Sequence, residues 1–174
     1  MVERPLRLDP CFLCFQPPTG APEVRPRGEA GAGGASDSPI TFGSFNMILK
    51  INPGVLDAWA AVLAQVPGSR LLVKSLAFSD ARVREEMTRA LVERGVARER
   101  LDMRGPVKDP AGHLGAYHEV DIALDTFPYT GTTTTCEALY MGVPVVTLAP
   151  LASMHAHRVS ASLLRAAGLP ELIA

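Results

Sequence analysis

The chain of 174 residues is 47% hydrophobic and 20% charged, with a formal net charge of -1. This length suits one α/β domain and is too short for two large ones. The small net charge argues against nucleic acid or a membrane surface as a partner, because both attract proteins with a basic excess. No apolar stretch approaches the roughly 20 residues of a transmembrane helix, and the first residues lack the apolar centre of a secretory signal. A cytoplasmic protein is therefore expected.

Residues 1–39 are predicted to form a lead-in and linker. This segment holds nearly half of the 15 prolines, and residues 27–39 are a low-complexity run. Such a composition predicts a loop or linker without a core of its own. Cys11 and Cys14 form a CxxC motif, but no second pair and no nearby histidine cluster complete a zinc site. We expect two cysteines in an apolar segment here, in preference to a metal or redox site.

Residues 40–174 show a regular alternation that predicts the fold. Five apolar, strand-like runs alternate with five amphipathic segments of helical length. This order is typical of a doubly wound parallel sheet of the α/β class. The run "VPVVTL" (143–148) is almost continuously apolar, which predicts a strand covered on both faces.

Local signals support the first two helices. Asn52 and Pro53 place a capping residue before a first-turn proline, which predicts a helix start. Ser79 and Asp80 can cap the second helix, and Gly95 ends it. The first helix should bury one apolar face, which consists of Val55, Trp59, Val62 and Leu63.

Ligands of open parallel sheets bind where strand C-termini meet helix N-termini. Three such junctions of this chain carry polar side chains. The first contains Lys50, the second contains Lys108 and His113, and the third is a run of four threonines (132–135). Alternatives remain for the isolated residues, because a loop lysine is often a solvated surface group and a histidine near a helix start is often a cap.

The threonine run is the strongest candidate site. Gly131 allows a tight turn after the strand "DIALD", so the threonines should occupy the N-cap and first turn of the next helix. Free backbone N–H groups and the positive end of the helix dipole attract anions there. Hydroxyls together with free amides suit a diphosphate, and Glu137 lies where a carboxylate can accept from two ribose hydroxyls. The alternative is that one threonine caps the helix, which would account for one hydroxyl but not for four.

Other nucleotide-binding and catalytic motifs do not occur in the sequence. No G-x-G-x-x-G follows a strand, and there is no P-loop motif. A G-x-S-x-G nucleophile elbow, a carboxylate pair and an H-E-x-x-H motif do not occur either. The anion site therefore does not belong to a dinucleotide fold or a P-loop.

Four segments carry a family resemblance: "TFGSFNMILKINPGVLDAWAAVLAQVPGSRLLVKS", "ALDTFPYTGTTTTCEALYMGVPVVTL", "HRVSASLL" and "GLPELIA". They closely resemble the C-terminal catalytic half of the O-linked N-acetylglucosamine transferase / SPINDLY family. The similarity extends from about residue 1 to the end, in matching order and spacing. It implies a Rossmann-like, donor-binding half of a GT-B glycosyltransferase, with tetratricopeptide repeats upstream in bacterial members.

The resemblance also implies roles for the phosphate-binding residues. Lys50 matches the family lysine that holds the nucleotide diphosphate and supports departure of the leaving group, which makes it the expected catalytic residue. Thr133 and Thr134 match threonines that bind phosphate at the helix start. Glu137 matches an acidic position that binds the ribose.

Other positions complete the site or depart from the family pattern. His113 matches a histidine that packs near the nucleotide base, and Lys108 lies in the loop that leads to it. Thr132 replaces a histidine of the animal members, and a threonine at this position is familiar in bacterial relatives. Met47 stands where animal enzymes have a glutamine near the diphosphate, so one polar contact is absent. The sugar donor is therefore left open, and GDP-fucose is an alternative to UDP-N-acetylglucosamine.

The expected function is that of the donor-binding domain of a protein O-glycosyltransferase. It would transfer N-acetylglucosamine from its UDP donor to Ser or Thr with inversion, and we expect it to need no cofactor and no metal. Family members continue beyond "ELIA", and they carry a second half-domain and helical repeats that read acceptor proteins. We therefore expect a fragment or truncated product, inactive alone. The alternatives are a non-catalytic UDP-binding remnant and, disfavoured by the loop-level similarity, a sugar-nucleotide epimerase.

Overall fold

The computed structural model describes residues 6, 8–24, 39–149 and 154–174. It contains one sheet of five parallel strands in the order β3-β2-β1-β4-β5. The predicted doubly wound α/β fold is confirmed. The strands are β1 (Thr41–Ser44), β2 (Arg70–Lys74), β3 (Leu101–Arg104), β4 (Ile122–Leu124) and β5 (Val145–Val146).

Helices cover both faces of this sheet. The α-helices are α1 (Pro53–Gln65), α2 (Ala81–Val92), α3 (Pro110–Gly115), α4 (Thr133–Tyr140) and α5 (Val159–Ala166). Buried residues of α1 and α2 pack with one face of the sheet, around Trp59, Leu63 and Phe78. Buried residues of α3, α4 and α5 pack with the other face, around Leu114 and Leu164.

The structure shows which residues cap the first two α-helices. The side chain of Asn52 accepts a hydrogen bond from the Val55 N–H at 3.2 Å, and Pro53 is the first helical residue of α1. Asp80, and not Ser79, caps α2 by accepting from the Arg82 N–H. Ser79 instead donates to a carbonyl in the preceding turn.

Strand β5 differs from its prediction. Val145 is buried, but Val146 and Leu148 are 36% and 41% exposed. The expectation of a strand covered on both faces is therefore wrong for this run. Because β5 lies at the edge of the sheet, one of its faces reaches solvent although its side chains are apolar.

The described part of the lead-in packs against the domain. Phe15 lies near the ring of Tyr140, with 6.3 Å between ring centres, and Ala21 packs against the apolar cluster beneath α4 and α5. Cys11 and Cys14 are free thiols. The predicted linker over residues 27–39 lies outside the described residues except for Pro39. Within the described part of the chain, no helix has the length and hydropathy needed to cross a membrane.

Candidate nucleotide site

The three polar junctions lie along the C-terminal edge of the sheet. β1 and β4 are neighbours, while the chain leaves β1 toward β2 on one side and leaves β4 toward β5 on the other. This is the topological switch point, where open α/β sheets bind ligands. The loop before α1 and the loop before α4 therefore meet at one place.

A buried aspartate holds the loop before α4. Asp125 Oδ1 accepts from the backbone N–H groups of Thr126 at 2.8 Å and Gly131 at 2.7 Å, and from Asn46 Nδ2 at 3.2 Å. Its Oδ2 accepts from Thr147 Oγ1 at 2.7 Å. One carboxylate thus connects the ends of β1, β4 and β5 and fixes the entry into α4.

Gly131 is required at this entry because it has no side chain. A Cβ at this position would lie 2.4 Å from Thr135 Oγ1 and 3.1 Å from Asp125 Oδ1. The sequence predicted a tight turn at this glycine. The structure gives a further reason for glycine, because polar side chains lie too close to Gly131 to admit a Cβ.

The four threonines of the run have different surroundings. Thr132 is the N-cap of α4, but its side chain makes no capping hydrogen bond, and Thr133 is exposed. Thr134 Oγ1 donates to Asn46 Oδ1 at 3.1 Å. Thr135 is buried, with its hydroxyl 2.9 Å from Ser160 Oγ. The predicted N-cap and first turn are confirmed, but Thr135 serves the interior, so three threonines at most face a ligand.

Lys50 lies at the same edge, in the loop before α1. Its Nζ donates to the Thr130 carbonyl at 2.8 Å and lies 4.1 Å from the centre of the Tyr129 ring. Burial lowers the pKa of Lys50 below its ordinary value, and the Asp125 carboxylate opposes that shift. An ammonium has three N–H donors, so two remain for a ligand while the third holds the loop before α4.

Glu137 and His113 are brought together. His113 Nε2 lies 3.0 Å from Glu137 Oε2, and Tyr117 Oη donates to the same oxygen at 3.5 Å. The other histidine nitrogen, Nδ1, contacts Nζ of Lys74. The Glu137 side chain is 15% exposed and that of His113 is 34% exposed, so both reach the surface from a mostly buried cluster.

Aromatic rings enclose this cluster. The rings of Phe45 and Tyr117 lie 4.3 Å apart, and Phe45 lies 6.2 Å from His113. Burial, followed by the negative charge of Glu137, raises the pKa of Tyr117 well above its ordinary value. Tyr117 therefore stays protonated and donates, also to the Thr134 carbonyl at 3.1 Å.

Two residues named from the sequence are not joined to this cluster. Lys108 is exposed in the loop between β3 and α3, and within the described residues it makes no hydrogen bond or ion pair. Met47 is 60% exposed at the end of β1. The predicted roles of Lys50, Lys108, His113, Glu137 and the threonines all stay predictions.

Sequence reasoning missed four residues that build the site. They are Asn46, Lys74, Tyr117 and Asp125, of which all but Tyr117 are buried polar residues. A signal existed for three of them, because Asn46, Lys74 and Asp125 each follow or end an apolar strand at the edge where ligands bind. Across residues 8–24, 39–149 and 154–174, no group of three His, Cys, Asp or Glu side chains is arranged to hold a metal ion.

Comparison with known proteins identifies relatives of this chain. The model of glycosyl transferase family 41 matches residues 31–174. The chain is 46% identical over 173 residues to a "Probable UDP-N-acetylglucosamine--peptide N-acetylglucosaminyltransferase SPINDLY" of Arabidopsis thaliana, covering 99% of this chain and 18% of the relative. It is 36% identical over 138 residues to a UDP-N-acetylglucosamine--peptide N-acetylglucosaminyltransferase of Caenorhabditis elegans, covering 79% and 12% respectively.

A solved structure is also similar in fold. A mutant of the Thermobaculum terrenum O-GlcNAc transferase superposes with a TM-score of 0.79 and is 42% identical, over 91% of this chain and 28% of that chain. The chain thus spans less than a fifth of the curated relatives' length and about a quarter of the solved relative's. The similarity covers nearly all of the described sheet and helices.

Proposed function

The chain belongs to glycosyl transferase family 41, and on that premise we propose that it forms the donor-binding part of a protein O-glycosyltransferase. The donor is UDP-N-acetylglucosamine, and the acceptors are Ser or Thr hydroxyls of proteins. The relatives support this choice, because their names describe transfer of N-acetylglucosamine to peptide. The relatives are much longer than this chain, so the complete reaction belongs to the whole protein.

The observation that carries the proposal is the open start of α4 at the switch point. The first backbone N–H groups of α4 have no side-chain cap, and Thr133 is exposed beside them. Free N–H groups and the helix dipole favour a phosphate there. Lys50 adds a full positive charge, and its Nζ already donates to the neighbouring Thr130 carbonyl at 2.8 Å.

Transfer with inversion is a single displacement. The acceptor oxygen bonds to the anomeric carbon, the bond from that carbon to the diphosphate oxygen breaks, and the acceptor proton passes to a base. The departing diphosphate gains negative charge. In this proposal, Lys50 and the N–H groups of α4 stabilise that charge, because fixed donors aimed at a developing anion lower the barrier without reorganising.

Glu137 completes the proposed donor site. It lies one turn into α4, behind the phosphate position, and a carboxylate there repels an incoming anion. Its presence is accounted for if it accepts hydrogen bonds from the vicinal ribose hydroxyls, since bonds to an ionised acceptor are stronger than neutral ones. His113, whose side chain is 34% exposed beside Phe45, would contact the base through its ring.

Thermal unfolding with matched ligands tests the proposal. UDP should raise the melting temperature more than uridine does, because a ligand that binds only the native state stabilises it. At 100 times its dissociation constant, UDP should add about 2.7 kcal/mol, which is about 5–10 °C for a chain of this size. Equal shifts for UDP and uridine would contradict the diphosphate site. GDP measured in parallel distinguishes a guanosine donor.

A further inference from the structure

Lys74 is a buried cation beside the candidate nucleotide site. It ends β2 at the same edge of the sheet and is 4% exposed. Its Nζ contacts Nδ1 of His113 and lies 5.0 Å from the centre of the Phe45 ring. Lysine is almost never fully buried without a partner, so its contact with His113 indicates the role of Lys74.

The contacts of His113 determine where its proton lies. A lysine ammonium only donates hydrogen bonds, so Nδ1 of His113 must present its lone pair to Lys74. The neutral ring then carries its proton on Nε2, which donates to Glu137 Oε2 at 3.0 Å. The opposite tautomer would set an N–H against the ammonium and a lone pair against the carboxylate. Lys74 and the Glu137 carboxylate therefore favour the same tautomer of His113, Lys74 from the Nδ1 side and Glu137 from the Nε2 side.

The same arrangement leaves one oxygen of Glu137 free. Oε2 is held by His113 and by Tyr117. Oε1 has no protein partner among the described residues, and the side chain keeps 15% of its surface exposed. Two donors on Oε2 restrict the orientation of the carboxylate, and with it the position of Oε1.

We propose that Lys74 is a positioning residue for the nucleotide ribose: through His113 it fixes the Glu137 carboxylate so that Oε1 accepts from the ribose hydroxyls. This inference rests on the proposed function, since it assigns how that site holds its ligand. Lys74 does not touch the ligand and acts only through His113.

The electrostatic surroundings of Lys74 fit a positioning role better than a packing role. Burial lowers the pKa of Lys74, Glu137 opposes the shift, and Arg104 adds to the lowering. Arg104 is itself paired with Asp102 and Glu119 at 2.7 Å. Burying a cation costs stability that an apolar chain of equal length would not cost. Methionine would fill the same space, so packing alone does not account for a lysine.

The first experiment reads the histidine directly, without any nucleotide. Nitrogen-15 NMR of the full 174-residue chain, with His113→Asn to assign the signal, should show Nδ1 unprotonated and Nε2 protonated. Lys74→Met removes the donor to Nδ1, so the signals should shift toward a mixture with the Nδ1-protonated ring, and Lys74→Arg, which keeps a cationic donor, should retain the wild-type tautomer. A wild-type ring protonated on Nδ1, or a tautomer unchanged in Lys74→Met, would overturn the proposal. A wild-type ring protonated on Nδ1 overturns the proposal even if neither variant folds.

The second experiment measures ribose recognition. Titration with UDP and with its 2′,3′-dideoxy analogue should show the wild type preferring UDP by about tenfold or more. Lys74→Met should reduce that preference at least about threefold, and Lys74→Arg should restore part of it. Arg82→Met is the control, because the Arg82 side chain is 88% exposed on α2; it should leave the preference unchanged.

The outcomes separate the two proposals. If the wild type prefers UDP but Lys74→Met keeps the full preference, the positioning role is wrong and the donor site stands. If neither the wild type nor the variants bind UDP or the analogue, the donor site is wrong, and the positioning role is then wrong as well. A merely structural Lys74 would weaken both ligands equally, which also overturns the proposal.

Discussion

The starts of α1 and α4 lie at the same edge of the sheet, and they satisfy their backbone donors in opposite ways. At α1 the side chain of Asn52 accepts from the Val55 N–H, and Pro53 removes another donor. At α4 the N-cap is Thr132, whose side chain accepts nothing from the first turn. A helix start left without a cap costs stability unless water or a ligand supplies the acceptor.

The remaining helices make this contrast sharper. Asp80 caps α2, Asp109 caps α3, and Thr130 Oγ1 accepts from the Ser160 N–H in the first turn of α5. Among the α-helices of the described chain, α4 alone has no side-chain acceptor at its start. The loop before α4 is instead held by Asp125, which accepts from the Thr126 and Gly131 N–H groups and leaves those of the first turn without a side-chain acceptor.

The largest expected effect is a loss of stability when the carboxylate that holds the loop before α4 is removed. Asp125→Ala should lower the free energy of unfolding by about 3–5 kcal/mol, because it leaves several buried donors without an acceptor. Urea unfolding measures the loss. Asn52→Ala, which removes only the cap of α1, should cost about 1 kcal/mol. Equal losses for the two variants would show that Asp125 does not hold the α4 entry.

Removing the cation beside the open helix start should affect binding more than folding. Lys50→Ala should weaken UDP binding by about 1–3 kcal/mol, the range for loss of a charge-assisted contact. Calorimetric titration measures the change, and Arg82→Ala on α2 is the control. If Lys50→Ala binds UDP as tightly as the wild type, Lys50 does not contact the diphosphate.

The helix starts themselves can be compared by matched substitutions. Asn52→Ala should cost about 1 kcal/mol of stability, while Thr132→Ala should change stability by less than about 0.5 kcal/mol because no capping bond is lost. Thermal unfolding of the two variants without ligand gives the comparison. A loss at Thr132 as large as that at Asn52 would mean that α4 is capped after all.

The last prediction concerns the pH dependence of UDP binding. The pKa of Lys50 is lowered by burial, and the protonated form is the one that binds a diphosphate. UDP binding should therefore weaken as pH rises through that lowered pKa, starting below the range of an ordinary lysine near about 10.4. Lys50→Arg, which stays protonated, should show no such decline. A wild-type profile that is flat over the same range would exclude Lys50 from the site.

Much of the fold followed from local patterns. The alternation of strands and helices and the caps at Asn52 and Asp80 are local, so a single sequence shows them. The exposure of Val146 was not predictable, because an apolar strand has the same sequence pattern in the centre and at the edge of a sheet. Strand order decides between the two, and it depends on contacts distant in sequence.

The site likewise has a part that local sequence predicts and a part that depends on contacts distant in sequence. The threonine run indicated the start of α4 because the signal lies within one turn. The contacts of His113 with Lys74 and Glu137 span 39 and 24 residues, and only the folded sheet brings them together. Likewise, nothing in the run distinguishes Thr135, which faces Ser160 in the interior, from Thr133 at the surface.

Calorimetric titration of Glu137→Gln with UDP and with inorganic pyrophosphate tests the central claim most directly, namely that α4 begins a nucleotide site and not a simple anion site. Glutamine keeps an acceptor for His113 and removes the negative charge. If Glu137 binds ribose, UDP affinity falls while pyrophosphate affinity stays the same or rises, because repulsion of the phosphates is relieved. UDP binding that is unchanged or tighter in Glu137→Gln would contradict the account.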